Sequence, residues 1–296
     1  MRIIYSAGNR IGANNQLLRF LENNECHEIK IAGYNNSTYS IKHVDWNLNS
    51  IHLTSIFYTD AIHSLRYEAK YIESILKDVA DFNPDLIISD SEHIFGHIAN
   101  EIDVPLWYCS PLNLIEAIRW PKNKPIYSYL FNQYKKHKLP KADKYLIYSP
   151  FCDILNTPTI KDNYIWIRPY YNIDSQINID ENSRRLKLNK ILKYVKLNEY
   201  NFTDGNTTSV SDSFYNNKNI IISPNVKNIE ALLNAIMIGK YNIGYNLGQI
   251  ELMEMKAVEY IERICNKKYS KVEFNNNQHL QLHEFIEKFE NNIVRP

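Results

Sequence analysis

The first twenty-one residues read as one unit and constrain the fold more than any other stretch. Arg2 to Ser6 (R-I-I-Y-S) predicts a buried strand, Ala7 to Asn14 (A-G-N-R-I-G-A-N) a glycine-bearing loop, and Asn15 to Leu21 (N-Q-L-L-R-F-L) the start of an amphipathic helix. A strand that passes to a helix through such a loop usually begins a parallel α/β domain. The loop then lies where the carboxyl end of the strand meets the helix N-terminus, and backbone N–H groups there can hold an anion or a polar ligand. Residues 8–14 are therefore a candidate wall of a functional site.

Strand and helix signals keep alternating beyond that unit. Glu28 to Ala32 (E-I-K-I-A) predicts a strand, and Ile51 to Tyr58 a strand or the start of the next segment. Thr59 to Asp81 predicts a helix with Ile62, Leu65, Ala69, Ile72, Ile75, Leu76 and Val79 on one face. Leu86 to Ser89 (L-I-I-S), after Pro84-Asp85, is short and wholly apolar until its last residue, as a central parallel strand should be. A helix over Phe95 to Ile102 and strands over Pro105 to Cys109, Tyr145 to Tyr148 and Tyr164 to Ile167 follow. Residues 111–142 read as helical and aromatic, interrupted at Trp120-Pro121.

The second half opens with a basic helix, Ser183 to Leu197, and a polar stretch, Asn201 to Asn217, with little core-forming content. A strand (Asn219 to Ser223), a helix stopped by Gly239 (Val226 to Ile238), a strand (Tyr241 to Tyr245) and a helix (Glu251 to Cys265) complete it. The tail, His279 to Asn292, is amphipathic. This predicts an N-terminal domain over 1–168, a shorter second α/β domain over 169–278, and a terminal helix over 279–296.

A chain of 296 residues with 44% hydrophobic content can build two cores and is far from a disordered composition. The net charge of +1 predicts no strong pull of the whole molecule toward nucleic acid or membrane, although a local basic groove stays open. The four cysteines are far apart with no C-x-x-C or metal-ligand spacing, which reads as free thiols in a reducing compartment. No apolar run approaches the ~20 residues of a membrane span, and the N-terminus has no signal-peptide pattern. A cytoplasmic protein is the expectation.

Few residue groups are placed to carry chemistry. Gly8 and Gly12 are spaced G-x-x-x-G, which is not a dinucleotide fingerprint, and no G-x-x-x-x-G-K-[ST] occurs. They let backbone approach a ligand, or simply make a tight turn. Asp90 and Glu92 (S-D-S-E-H) follow the apolar strand, so they fall in the crevice where α/β ligands bind. Either would serve as a general base, while Asp90 or Ser91 is equally suited to capping the next helix. His93 and His97 are four apart, but without a third ligand they read as surface or capping histidines and not as a metal site. Gln249 and Glu251, in G-Q-I-E, would hydrogen-bond sugar hydroxyls or mark an ordinary helix N-terminus. Tyr170 and Tyr171 lie by the domain boundary, where core packing is the simpler role.

Taken together, three stretches make the chain resemble the GT-B glycosyltransferases, in the group similar to MurG and the UDP-glycosyltransferases. They are S-A-G-N-R-I-G-A-N, then P-D-L-I-I-S-D-S-E (Pro84 to Glu92) with D-V-P-L-W (Asp103 to Trp107), and N-A-I-M-I-G-K-Y-N-I-G-Y-N-L-G-Q-I-E (Asn234 to Glu251). The resemblance implies two Rossmann-like domains with a cleft between them. The acceptor would lie against the first domain, by Gly8, Asn9, Arg10, Gly12, Asn14 and His93. A nucleotide-sugar, UDP-linked, would lie against the second, by Asn225, Lys227, Asn228, Asn234, Gln249 and Glu251. It implies no metal and no further cofactor, because helix dipoles and side chains stabilise the leaving diphosphate.

The chain also departs from the family pattern. Ala13 follows Gly12 where the family often has a histidine base, which moves that role to Asp90 or Glu92. Ser223-Pro224-Asn225-Val226-Lys227-Asn228 replaces a glycine-rich diphosphate loop, so that Lys227 supplies charge in place of backbone amides. The glutamate that grips the ribose aligns with Asn234, and the first strand of the second domain is not visible. Two readings stand: a glycosyltransferase acting on a hydroxyl acceptor, or a non-catalytic relative that binds a sugar, nucleotide or protein. A variant of the first acts on hydroxymethylated DNA, which the near-neutral charge disfavours.

Overall fold

The computed structural model describes residues 1–9, 11–48, 65–120, 125–135, 140–153, 162–170, 200–224, 228–246 and 280–293. The expected strand at Ile51 to Tyr58 and helices at Ser183 to Leu197 and Glu251 to Cys265 lie outside these residues. The chain divides into two compact units: Met1–Tyr170 with Asn276–Pro296, and Tyr171–Asn275.

The first unit is built on a sheet of seven parallel strands. All seven are short, and those at its centre are apolar enough to be covered on both faces. They are β1 (Arg2–Ala7), β2 (Glu28–Gly33), β3 (Trp46–Asn47), β4 (Leu86–Asp90), β5 (Leu106–Ser110), β6 (Lys144–Tyr148) and β7 (Tyr164–Ile167). Their order, β3-β2-β1-β4-β5-β6-β7, reverses direction between β1 and β4, as in doubly wound nucleotide-binding folds. The two-residue β3, paired through Ala32 and Trp46, has no signal in sequence patterning.

Alternation along the strands divides the core into two layers. Ile3, Tyr5, Leu86, Ile88, Trp107 and Leu146 face α1 (Ile11–Glu22) and the C-terminal helix α9 (Leu282–Ile293). Ile4, Ile87, Leu106 and Tyr108 face α3 (Leu65–Phe82) and α4 (Ile94–Glu101). Three further helices, α2 (Asn35–Thr38), α5 (Leu114–Ala117) and α6 (Pro125–Lys135), lie in the connections. Helix α9 belongs to this unit. Phe285 and Phe289 both pack on the fully buried Trp107, each with ring centroids 4.9 Å from it, and the Tyr170 hydroxyl meets His283 Nδ1 at 3.1 Å.

The second unit carries three parallel strands in the order β10-β9-β8, with β8 at Tyr200–Thr203, β9 at Asn219–Ile222 and β10 at Gly244–Asn246. Helix α7 (Thr207–Tyr215) joins the first pair and α8 (Ile229–Lys240) the second. This changes the reading of Asn201 to Asn217. The strand missing from the sequence pattern is Y-N-F-T, and the polar stretch after it is a helix. Its buried polar groups are paired internally: Ser211 donates to the Thr207 carbonyl at 2.7 Å, Ser213 to the Ser209 carbonyl at 2.6 Å, and Asn201 to Ser213. Polar residues reach the interior because hydrogen bonds offset their desolvation, which hydropathy patterning does not register.

Helix ends differ from expectation for a similar reason. Gly239 lies in the last turn of α8, and Asn242, with φ of 52°, makes the left-handed turn beyond it. Asn83 and Asn217 do the same after α3 and α7. Asparagine tolerates this conformation better than most residues, and this chain has only eight glycines.

Candidate functional site

The carboxyl ends of β1 and β4 meet where the strand order reverses, with Ala7 in register with Asp90. Gly8 follows directly, and its N–H donates to the Asp90 carbonyl at 2.8 Å. A Cβ on residue 8 would stand 2.6 Å from the Ser91 carbonyl oxygen, so the close approach of the two loops requires glycine here. Ser91 adopts φ of 55°, and its N–H donates to the Cys109 carbonyl at 2.8 Å. The β4–α4 connection is thus anchored on both sides.

Asp90 is 2% exposed. Its Oδ2 accepts from the Tyr5 hydroxyl and its Oδ1 from Ser91 Oγ, each at 3.3 Å. Burial first, and then the Asp90 carboxylate, push the Tyr5 hydroxyl far above its ordinary range, so Tyr5 remains a donor. Neither Tyr5 nor the Ser6 contact below was singled out in the sequence. The signal was present in strand alternation, which puts residue 5 on the Asp90 face, but it needs the β1–β4 pairing to be read.

Glu92, also 2% exposed, is committed to the scaffold. Its carboxylate accepts from Ile94 N at 2.6 Å, Phe95 N at 3.0 Å and Ser6 Oγ at 2.8 Å, and its carbonyl accepts from Ser89 Oγ. Glu92, not Asp90 or Ser91, satisfies the orphan N–H groups at the start of α4. His93 is half-buried beside it at the N-cap position, with no capping bond from its side chain, and its ring meets that of His97 edge-on at 6.2 Å. Among the described residues, no group of three His, Cys, Asp or Glu could hold a metal.

The loop after β1 is shorter than its sequence suggested. Helix α1 begins at Ile11, so Gly12, Ala13 and Asn14 are helical. Asn9 is exposed, and Arg10 lies outside the described residues. Ala13 packs in the core. Asn14 is fully buried and braces the turn after α2, with its Nδ2 3.3 Å from Ser40 Oγ and its Oδ1 accepting from Ser40 N at 3.2 Å.

In the second unit, Asn228 caps α8 by accepting from Ala231 N at 3.2 Å. Asn234 is 2% exposed and donates to the Gly205 carbonyl at 2.8 Å and to Thr207 Oγ1 at 3.2 Å. Glu230 accepts from Thr207 N at 2.8 Å. Helix α8 therefore holds the β8–α7 turn in place through two side chains. The turn also needs Gly205, with φ of 97° and the Ala231 backbone 3.0 Å from where a Cβ would be. Asn225, Lys227, Gln249 and Glu251 lie outside the described residues.

No family profile and no curated protein matches the sequence. Solved structures do match. Spinosyn rhamnosyltransferase SpnG aligns with a TM-score of 0.62 at 10% identity, over 98% of this chain and 100% of its own. The chain has the GT-B glycosyltransferase fold. The glycosyltransferase VinC, solved with dTDP, aligns with a TM-score of 0.59 at 12% identity, over 98% and 99% of the two chains. SpnG complexed with thymidine diphosphate gives 0.61 at 10% identity, over 90% and 92%. The GT-B likeness spans both units and includes the 200–217 region that sequence patterning left blank. At these identities it is a likeness of fold.

Proposed function

We propose that this protein is a glycosyltransferase that moves a sugar from a nucleoside-diphosphate sugar, UDP-linked, to a hydroxyl acceptor without a metal ion. The observation that carries the reading is Asp90, a carboxylate at the strand-order reversal of a GT-B fold, held by Tyr5 and Ser91. Asp90 takes the acceptor proton as the hydroxyl attacks the anomeric carbon. Gly8, Asn9 and Arg10 contact the acceptor, with His93 beside them. Glu92, Asn14 and Asn234 belong to the scaffold, because their polar atoms serve the fold. The second unit binds the donor. The N-termini of α7 and α8, together with Lys227, stabilise the departing diphosphate, while Gln249 and Glu251 hydrogen-bond the donor's sugar hydroxyls and Asn225 contacts the donor beside them.

Thermal shift against UDP-, dTDP-, GDP- and CMP-sugars tests donor binding, since a ligand of the native state raises the melting temperature. One of the diphosphate sugars is expected to do so. Asp90→Asn is expected to keep that shift and lose transfer by about 10²- to 10⁴-fold. Full transfer by Asp90→Asn would overturn the base assignment. Binding without transfer or hydrolysis across acceptor panels would favour the non-catalytic reading.

A further inference from the structure

The two donors that hold the Asp90 carboxylate are not equivalent. Tyr5 reaches Oδ2 from the neighbouring strand, at 3.3 Å. Its hydroxyl is buried and, among the described residues, has Asp90 as its one hydrogen-bond partner. A buried hydroxyl that let go would gain no water in exchange, so this bond is costly to break. The Tyr5 ring is fixed as well, packed on Phe20 with centroids 4.7 Å apart.

Ser91 Oγ donates to Oδ1 at 3.3 Å, but it also lies 3.4 Å from the Cys109 carbonyl oxygen. One hydroxyl carries one proton to donate. Ser91 can therefore leave Oδ1 for the Cys109 carbonyl and stay satisfied, whereas Tyr5 has no such second acceptor.

We infer that Tyr5 is a positioning residue for sugar transfer: it clamps Oδ2 and favours the ionised carboxylate, so that Oδ1 is the oxygen that meets the acceptor. This rests on the reading of Asp90 as the base. As the acceptor hydroxyl arrives, Ser91 turns to the Cys109 carbonyl. The acceptor proton passes to Oδ1, and the electron pair it leaves on the oxygen forms the bond to the anomeric carbon. The bond from that carbon to the diphosphate breaks with its pair on the diphosphate. Asp90 then returns the proton to water.

The titratable groups around Asp90 come from several elements. Tyr5 lies on β1, Cys109 pairs with Asp90 on β5, and Tyr148, at the end of β6, feels the Asp90 charge. Tyr170 shares their core layer, and Glu92 and His93 follow on the same connection. Burial raises all three phenols, so they stay neutral in the acid range. The remaining groups are common to wild type and Tyr5→Phe, so comparing the two isolates the Tyr5 hydroxyl.

The test follows the carboxyl resonance of Asp90 against pH in protein carrying isotope-labelled aspartate, assigned by its loss in Asp90→Asn. The midpoint is expected to rise by about one pH unit in Tyr5→Phe, which removes a donor to the ionised form, and by less in Ser91→Ala. No rise in Tyr5→Phe, or a larger one in Ser91→Ala, would overturn the clamp. In transfer assays Tyr5→Phe should move the acid limb of kcat upward by the same amount and lower kcat about tenfold, with KM unchanged. A raised midpoint with an unmoved acid limb would overturn the role in transfer. If the wild-type protein transfers no sugar, the glycosyltransferase reading fails, while the Asp90 titration still decides the clamp.

Discussion

Gly8 and Asp90 are joined by one backbone hydrogen bond of 2.8 Å, and no side chain fits between their loops. The two central strands therefore end in a fixed relationship at the candidate site. The nearest atoms to a Cβ on residue 8 are backbone, so they cannot swing away. Gly8→Ala is expected to destabilise the protein by about 2–3 kcal/mol, as overpacking against fixed atoms does. Urea unfolding measures this, and an unchanged midpoint would show that the loops separate freely.

Glu92 and Asp90 are two residues apart and have different jobs. Glu92→Ala removes a buried acceptor shared by Ile94 N, Phe95 N and Ser6 Oγ, and is expected to cost about 2–3 kcal/mol. Transfer measured on the folded fraction should change little. Asp90→Asn should show the opposite: near-native stability and a large loss in kcat. If Glu92→Gln is stable yet inactive, Glu92 takes part in the chemistry.

Asn234 is predicted to act on stability and not on ribose binding. Asn234→Ala leaves the Gly205 carbonyl and Thr207 Oγ1 without their donor and should cost about 1–3 kcal/mol. Asn234→Asp should cost as much or more, because it sets a carboxylate against a carbonyl oxygen. Donor affinity measured calorimetrically below the unfolding transition should be unchanged.

Four tyrosines give stability an alkaline limit. Burial holds Tyr71 up to about 12, and raises Tyr5, Tyr148 and Tyr170 further; Tyr148 also donates to Gln16, whose Oε1 accepts from Tyr170 N. Their folded values lie above the unfolded value of 10.0. The stabilising difference is therefore intact below that pH and is lost as pH rises toward 12 and beyond, while unfolded chains ionise and folded ones do not. Unfolding midpoints should fall steeply above pH 10, and Tyr71→Phe should make that fall shallower. Phenolate absorbance rising near pH 10 in still-folded protein, at the full tyrosine count, would contradict this.

The sequence by itself determined the class of the fold and the location of the candidate site. The run L-I-I-S after Pro-Asp has the pattern of a strand covered on both faces, and alternation with amphipathic helices points to a parallel sheet. Those are local properties of hydrophobic period, so they are legible without a structure. The acidic pair S-D-S-E after that strand was legible for the same reason.

Tertiary structure decided which residue does what. Asp90 differs from Glu92 because β1 runs beside β4, bringing Tyr5 to one carboxylate and Ser6 to the other. Asn234 reads as a ligand contact until the β8–α7 turn is found 29 residues upstream at its amide. The strand Tyr200–Thr203 and the serine-rich helix after it escaped patterning because their buried polar groups are satisfied by long-range and within-helix hydrogen bonds. Hydropathy records the desolvation cost of a residue, but its partner across the fold exists only once the chain has folded.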